Sequence, residues 1–115
     1  MARGDSKRRR REPPATATYT DPDGNTLQLR QDLSAGTVAK IREMPRSSAA
    51  SADDLWRRRQ EMLFERLTVR WEIAGLPLDD QKMLLGRYRM ADRETQEWVR
   101  RTIDAHLERY LPELR

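Results

Sequence analysis

Residues 55–76, LWRRRQEMLFERLTVRWEIAGL, limit what this chain can fold into more than any other stretch. No other segment carries enough large apolar groups to seed a core. Trp56, Leu63, Phe64, Leu67, Trp71 and Ala74 recur at separations of three, four and seven, the spacing of one helical face. Arg57, Arg58, Arg59, Glu61, Glu65 and Arg66 fill the other side as a solvated surface of mixed charge. Leu67, Val69, Trp71 and Ile73 also alternate with period two, so the last part reads equally as extended chain. The Gly75-Leu76-Pro77 triplet stops either form.

The rest of the chain packs on this stretch or trails from it. At 115 residues there is one domain at most, and 37% hydrophobic against 37% charged residues makes its core thin. A partner or self-association is therefore expected to add burial. Without cysteine there is no disulfide framework and no thiolate metal site, which fits a reducing compartment. No apolar run approaches the roughly 18 residues a membrane span needs, and no apolar segment follows the N-terminal charges, so a soluble chain without a standard secretion signal is expected.

The charge is unevenly placed. Residues 1–12 hold six basic side chains against Asp5 and Glu12; removing these six and two from the totals of 23 and 19 leaves 17 of each sign. The whole formal excess of +4 lies in this arm. Adjacent like charges ending in Pro13-Pro14 predict a disordered segment over 1–14. Lys7, Arg8, Arg9, Arg10 and Arg11 are candidate phosphate contacts of the non-specific kind, beside the plainer reading of a solubilising arm.

Beyond the arm the sequence predicts an α+β, mostly helical fold: an N-terminal β-hairpin followed by about four helices. Thr16, Thr18 and Tyr19 precede the turn Asp21-Pro22-Asp23-Gly24-Asn25, and Leu27 and Leu29 alternate after it; Pro22 presets φ, and Gly24 and Asn25 tolerate positive φ. Ser34 caps a short helix carrying Val38 and Ile41, which completes a unit over 15–44. A small-residue linker over 45–53 leads to a helical module over 54–111, opened by Ser51 and Asp54 as a capping pair. After Pro77, Asp79 or Asp80 caps a helix through Met83, Leu84, Leu85 and Tyr88. Asp92 then caps the last one, with Val99, Ile103, His106 and Tyr110 as its stripe, widened by Leu107 and Leu111, and Trp98 at its edge.

None of these elements carries recognisable reaction chemistry. The Asp-rich turn lacks the remaining ligands of a calcium loop. His106, the sole histidine, has no neighbouring ligand set and reads as part of a core stripe. A helix-turn-helix over 79–111 is disfavoured because Arg93, Arg100, Arg101 and Arg109 are outnumbered by Asp92, Glu94, Glu97, Asp104 and Glu108. There is no glycine-rich phosphate loop and no nucleophile-base spacing, so neither catalysis nor a cofactor is expected.

The order YTDPDGNTLQLR, short capped helix, spacer, helix ending LTVRWEIAGLPL and closing helical segment resembles the tail assembly chaperones of long-tailed, siphovirus-type bacteriophages, over most of residues 18–111. These small proteins are encoded between the major tail protein and the tape-measure protein. Trp71, Gly75, Leu76 and Pro77 match the family's tryptophan, glycine-containing turn and Leu-Pro pair. Glu72-Ile73-Ala74 stands where the family has an acidic turn. The resemblance implies a phage- or prophage-encoded, non-catalytic factor in the bacterial host cytoplasm. Such a factor binds the tape-measure protein, keeps it soluble and brings tail-tube subunits to it. Leu63, Leu67, Val69, Trp71 and Ile73, where the helical and alternating patterns overlap, are the candidate partner-binding residues. Two other readings remain: a virion structural or head-tail joining protein, and a small nucleic-acid-associated protein acting through the arginine-rich arm.

Overall fold

The computed structural model describes residues 15–44 and 53–115, with the backbone alone at residues 53 and 54. The arm over 1–14, with Lys7, Arg8, Arg9, Arg10 and Arg11, lies outside the described residues. So do most of the 45–53 linker and the Ser51 half of its capping pair.

The fold is α+β. Strands β1 (Thr16–Thr20) and β2 (Thr26–Arg30) form the expected hairpin, followed by helices α1 (Ala35–Arg42) and α2 (Asp53–Leu67). The chain then departs from the predicted order. Strand β3 (Thr68–Ile73) follows α2 directly, and β4 (Leu76–Leu78) precedes α3 (Gln81–Met90), α4 (Arg93–Tyr110) and a 3₁₀ turn (Pro112–Leu114). A second hairpin thus interrupts the helices, and the four strands make one antiparallel sheet in the order β1-β2-β3-β4.

From Thr68 to Ile73 the alternating reading therefore prevails over the helical one, and Leu67 is the last residue of α2. Thr68, Val69 and Ile73 are β-branched, which favours extended backbone, and the ladder to β2 supplies the hydrogen bonds that a continuing helix would have supplied. The alternation is not clean, because Leu29 faces Thr68 while Gln28 faces Arg70, leaving Val69 as an extra residue in a bulge. Thr68 and Trp71 consequently both point inward.

Opposed residues in antiparallel strands share a face, so Tyr19, Leu27, Trp71 and Leu78 form one row across the sheet, and Ala17, Leu29 and Thr68 another. Leu27, Leu29 and Trp71 are essentially inaccessible, as are Leu63, Phe64 and Leu67 of α2 and Val99, Ile103 and Leu107 of α4. This is the core, and Ile41, Leu84 and Leu114 extend it. Phe64 joins its layers, meeting the Trp71 ring edge-on at 5.6 Å and stacking on Tyr88 at 4.8 Å.

Local chemistry starts the helices where expected. Ser34 accepts a bond from the Thr37 amide (3.2 Å), Asp80 from Met83 (3.1 Å) and Asp92 from Thr95 (2.8 Å). The bonds from Thr95 hold the Asp92 carboxyl below its ordinary pKa, because they stabilise the ionised form. In the first turn, one Asp21 oxygen accepts from the amides of Asp23 and Asn25 at 2.8 and 2.9 Å, and the other from the Asn25 side chain at 3.0 Å. Gly24 alone in this turn adopts positive φ, at 85°. Asn25 serves instead through its side chain, whose oxygen accepts from the Ala74 amide at 3.0 Å and so ties the two hairpin turns together.

Gly75 is part of a turn between strands and not a helix stop. Ala74 and Gly75 have φ of 53° and 77°, the pair of positive values a two-residue type I′ hairpin requires.

Candidate partner-binding groove

Two side chains on α2 show how the helices are set. Arg59 lies on the same stripe as Leu63 and Leu67 at spacings of four, and it is only 5% exposed; it is not part of the solvated face. Its guanidinium donates to the Leu114 carbonyl, drawing the last turn of the chain onto α2. A buried arginine needs such partners, since its desolvated charge would otherwise cost several kcal/mol. The spacing 59–63–67 carried this signal; the residue's charge concealed it.

Trp56, one turn earlier, is only half-buried. It stands between two adjoining hollows, of about 390 and 370 Å³, the first walled by α2, α3 and α4 and the second by α2 and α4, that share Trp56, Gln60 and Arg100. The first hollow is completed by Arg57, Glu61, Tyr88, Arg89, Arg93 and Gln96. The second continues over Arg59, Leu63, Arg101, Ile103, Asp104, Ala105, Leu107 and Glu108. Together they make one groove with an arginine-rich end, the half-buried Trp56 in the middle over buried aliphatic side chains, and Arg101 beside two carboxylates at the far end.

Most of the groove's charges are already matched. Arg89 makes a two-pronged pair with Glu61, at 3.1 and 2.7 Å, which raises the arginine pKa further. Arg93 reaches Glu97 at 3.2 Å, and Arg115 holds Asp104 at 3.2 Å and Glu108 at 3.4 Å. Exposed pairs like these add little stability and exchange readily for a partner's charges. Arg100 differs. Like Arg101, among the described residues it has no carboxylate within ion-pair distance, and its one side-chain hydrogen bond, to the Tyr88 hydroxyl, is long at 3.5 Å.

The five residues singled out from sequence do not gather on this groove. Leu63, Leu67 and Trp71 are core residues at 0–1% exposure, and only Leu63 also contributes to a groove wall. Val69 and Ile73 are half-buried on β3. In this conformation a partner reaches neither Leu67 nor Trp71.

On the opposite side of α4, His106 is fully buried and hydrogen-bonded at both ring nitrogens. A carbonyl only accepts, so Nε2 carries the proton and donates to Arg30 O at 2.7 Å. Nδ1 then accepts from the Tyr19 hydroxyl at 2.6 Å. Burial pushes the His106 pKa down, partly offset by the bond to Arg30, and burial pushes the Tyr19 phenol up. This imidazole is a neutral core group that fastens β1 and β2 to α4, in keeping with its place on a core stripe.

Among the described residues there is no cluster of three or more potential metal-ligating side chains, and no helix is long and apolar enough to cross a membrane. The chain matches no family model, no curated protein and no solved structure.

Proposed function

We propose that this chain is a non-catalytic phage tail assembly chaperone that binds the tape-measure protein in the host cytoplasm and assists assembly of the tail tube around it. The observation that carries the proposal is the groove between α2 and α4. It is an open channel over α2, α3 and α4 with the half-buried Trp56 in its middle, a hollow that a helix of a partner can occupy. Tape-measure proteins are long helical rods whose apolar faces aggregate unless covered. The resemblance of residues 18–111 supplies the biological setting, and the groove supplies a means of covering such faces.

Co-expression with the tape-measure protein encoded beside it tests the reading. The expected result is a larger soluble fraction of the tape-measure protein and its co-purification with this chain. Equal solubility with and without the chain, and no co-purification, would overturn it. Presence of the chain in purified particles would favour a virion structural or head-tail joining protein. Salt-dependent nucleic-acid binding that vanishes when residues 1–12 are removed would favour the arm as the functional element.

A further inference from the structure

The sheet has two edges, and they are built differently. Ile73 and Leu76 flank the type I′ turn as a hydrogen-bonded pair, so the β4 residue whose backbone faces away from the sheet is Pro77, which has no N–H to offer. That edge is guarded. At the other edge the Asp21 amide donates to Asn25 O and the Gln31 amide to Ala15 O, both at 2.9 Å, so the odd-numbered residues of β1 bond to β2. Thr16, Thr18 and Thr20 therefore turn their N–H and C=O groups outward. Among the described residues only β2 packs extensively along β1, and only Gln31 Nε2 reaches this outward row, on the Thr16 carbonyl at 2.9 Å. A strand without a charge, a proline or a bulge leaves the edge open.

We propose that β1 pairs antiparallel with β1 of a second copy about a two-fold axis at Thr18, joining the two sheets edge to edge. The inference stands apart from the chaperone reading and does not use the groove. Only this register pairs every residue of β1 and also sets outward groups against outward groups. Thr18 meets Thr18, and Thr16 meets Thr20 of the second copy on either side, for about six backbone bonds. The Thr16 carbonyl has a second lone pair for its share. In the same register the side chains are self-complementary: threonines oppose threonines on the outer face, and on the helical face the half-buried Tyr19 ring opposes the Ala17 methyl of the second copy. No like charges meet between the two strands. A foreign strand finds the same backbone groups, but hydroxyls and methyls give it nothing to select by. A second copy matches every position and, with β4 guarded, closes the assembly as a pair.

Sedimentation of the full chain over a concentration series, beside Thr18→Pro, tests this. The hairpin does not use the Thr18 N–H, so Thr18→Pro should keep the helical circular dichroism while weakening dimerisation at least about tenfold. Thr18→Lys and Thr18→Glu should each dimerise more weakly than the unaltered chain, because like charges meet at the axis, and should pair with each other more tightly than with themselves. If Thr18→Pro does not fold, this exchange of charges decides the matter.

A chain still monomeric at about 1 mM would overturn the proposal. So would a dimer that Thr18→Pro and the charged variants leave unchanged, and so would growth into assemblies larger than a pair. A dimer lost on removal of residues 1–12 would give the contact to the arm and likewise overturn it. None of these outcomes depends on whether the tape-measure protein stays soluble, so the two readings fall separately.

Discussion

The two hairpins of the sheet are attached to the helical layer by opposite means. The β1–β2 hairpin is held by Leu27 and Leu29 and, on both its strands, by a polar pin: the Tyr19 hydroxyl and the Arg30 carbonyl both bond to the buried His106 ring. The β3–β4 hairpin is anchored by one indole, Trp71, packed edge-on against Phe64. Arg87 approaches the Trp71 ring face and donates to the Trp71 carbonyl at 3.0 Å. The apolar anchor holds at any pH the fold survives. The polar pin depends on an imidazole staying neutral, so the first hairpin carries a chemical sensitivity that the second lacks.

Removing the apolar anchor should have the largest effect. Trp71→Ala leaves a cavity at the centre of the sheet and should cost about 3–5 kcal/mol, a large share of what a small domain has. The denaturation midpoint should fall accordingly and by a similar amount at pH 5.5 and pH 8. An unchanged midpoint would mean that the second hairpin is anchored elsewhere.

Acid should sharpen the contrast. The folded-state pKa of His106 lies below its ordinary value of 6.5, so its contribution is fully present above pH 6.5 and is lost as pH falls towards the folded pKa. Protonation puts a hydrogen on Nδ1, which can then no longer accept from Tyr19. Protection of the Leu27 and Leu29 amides, measured against the intrinsic exchange rate at each pH, should fall on acidification before that of Trp71 does. His106→Leu should cost about 1–3 kcal/mol by leaving the Tyr19 hydroxyl and Arg30 carbonyl unmatched, and it should flatten the stability profile between pH 5 and 7. Simultaneous opening of both hairpins in acid would erase the distinction.

The smallest effect concerns the second turn and runs the other way. Ala74 occupies a left-handed conformation that costs a residue with a Cβ about 1 kcal/mol, and Asn is at ease there. Ala74→Asn should raise the denaturation midpoint by an amount equivalent to ~1 kcal/mol. Thermal melts that coincide would show that the Asn25 bond to the Ala74 amide already offsets the strain.

That same turn shows where sequence reading succeeds and stops. Asp21-Pro22-Asp23-Gly24-Asn25 announces a hairpin because each residue has a local task, and Ser34, Asp80 and Asp92 announce helix starts for the same reason. Ala74-Gly75 announces nothing. Its first residue is one that turns of this type disfavour, and Pro77 lies in a three-residue edge strand, where its missing amide proton is tolerated. The switch from α2 to β3 between Leu67 and Thr68 has no linker to mark it. The α+β class was legible, with the hairpin at its start and the last helix with its core stripe. The four-stranded sheet was not, because pairing β2 with β3 joins residues about forty positions apart, at a register only the folded chain specifies. The groove was hidden for a related reason. Trp56 reads as core and Arg100 as solvated surface until α4 is laid beside α2, and only then do they become neighbours on one channel.

The bond from Arg59 to Leu114 also imposes an order on synthesis. The guanidinium leaves the ribosome well before the carbonyl that receives it, and Leu114 is itself one of the fully inaccessible side chains. While residue 114 is still inside the exit tunnel, the nascent chain can form its first hairpin and separate helical turns, but the core lacks one of its fully buried leucines and Arg59 lacks its bond to that residue's carbonyl. Closure of the core must therefore wait for that leucine to emerge, and for that interval the half-made protein is itself a client for whatever chaperones the cell provides.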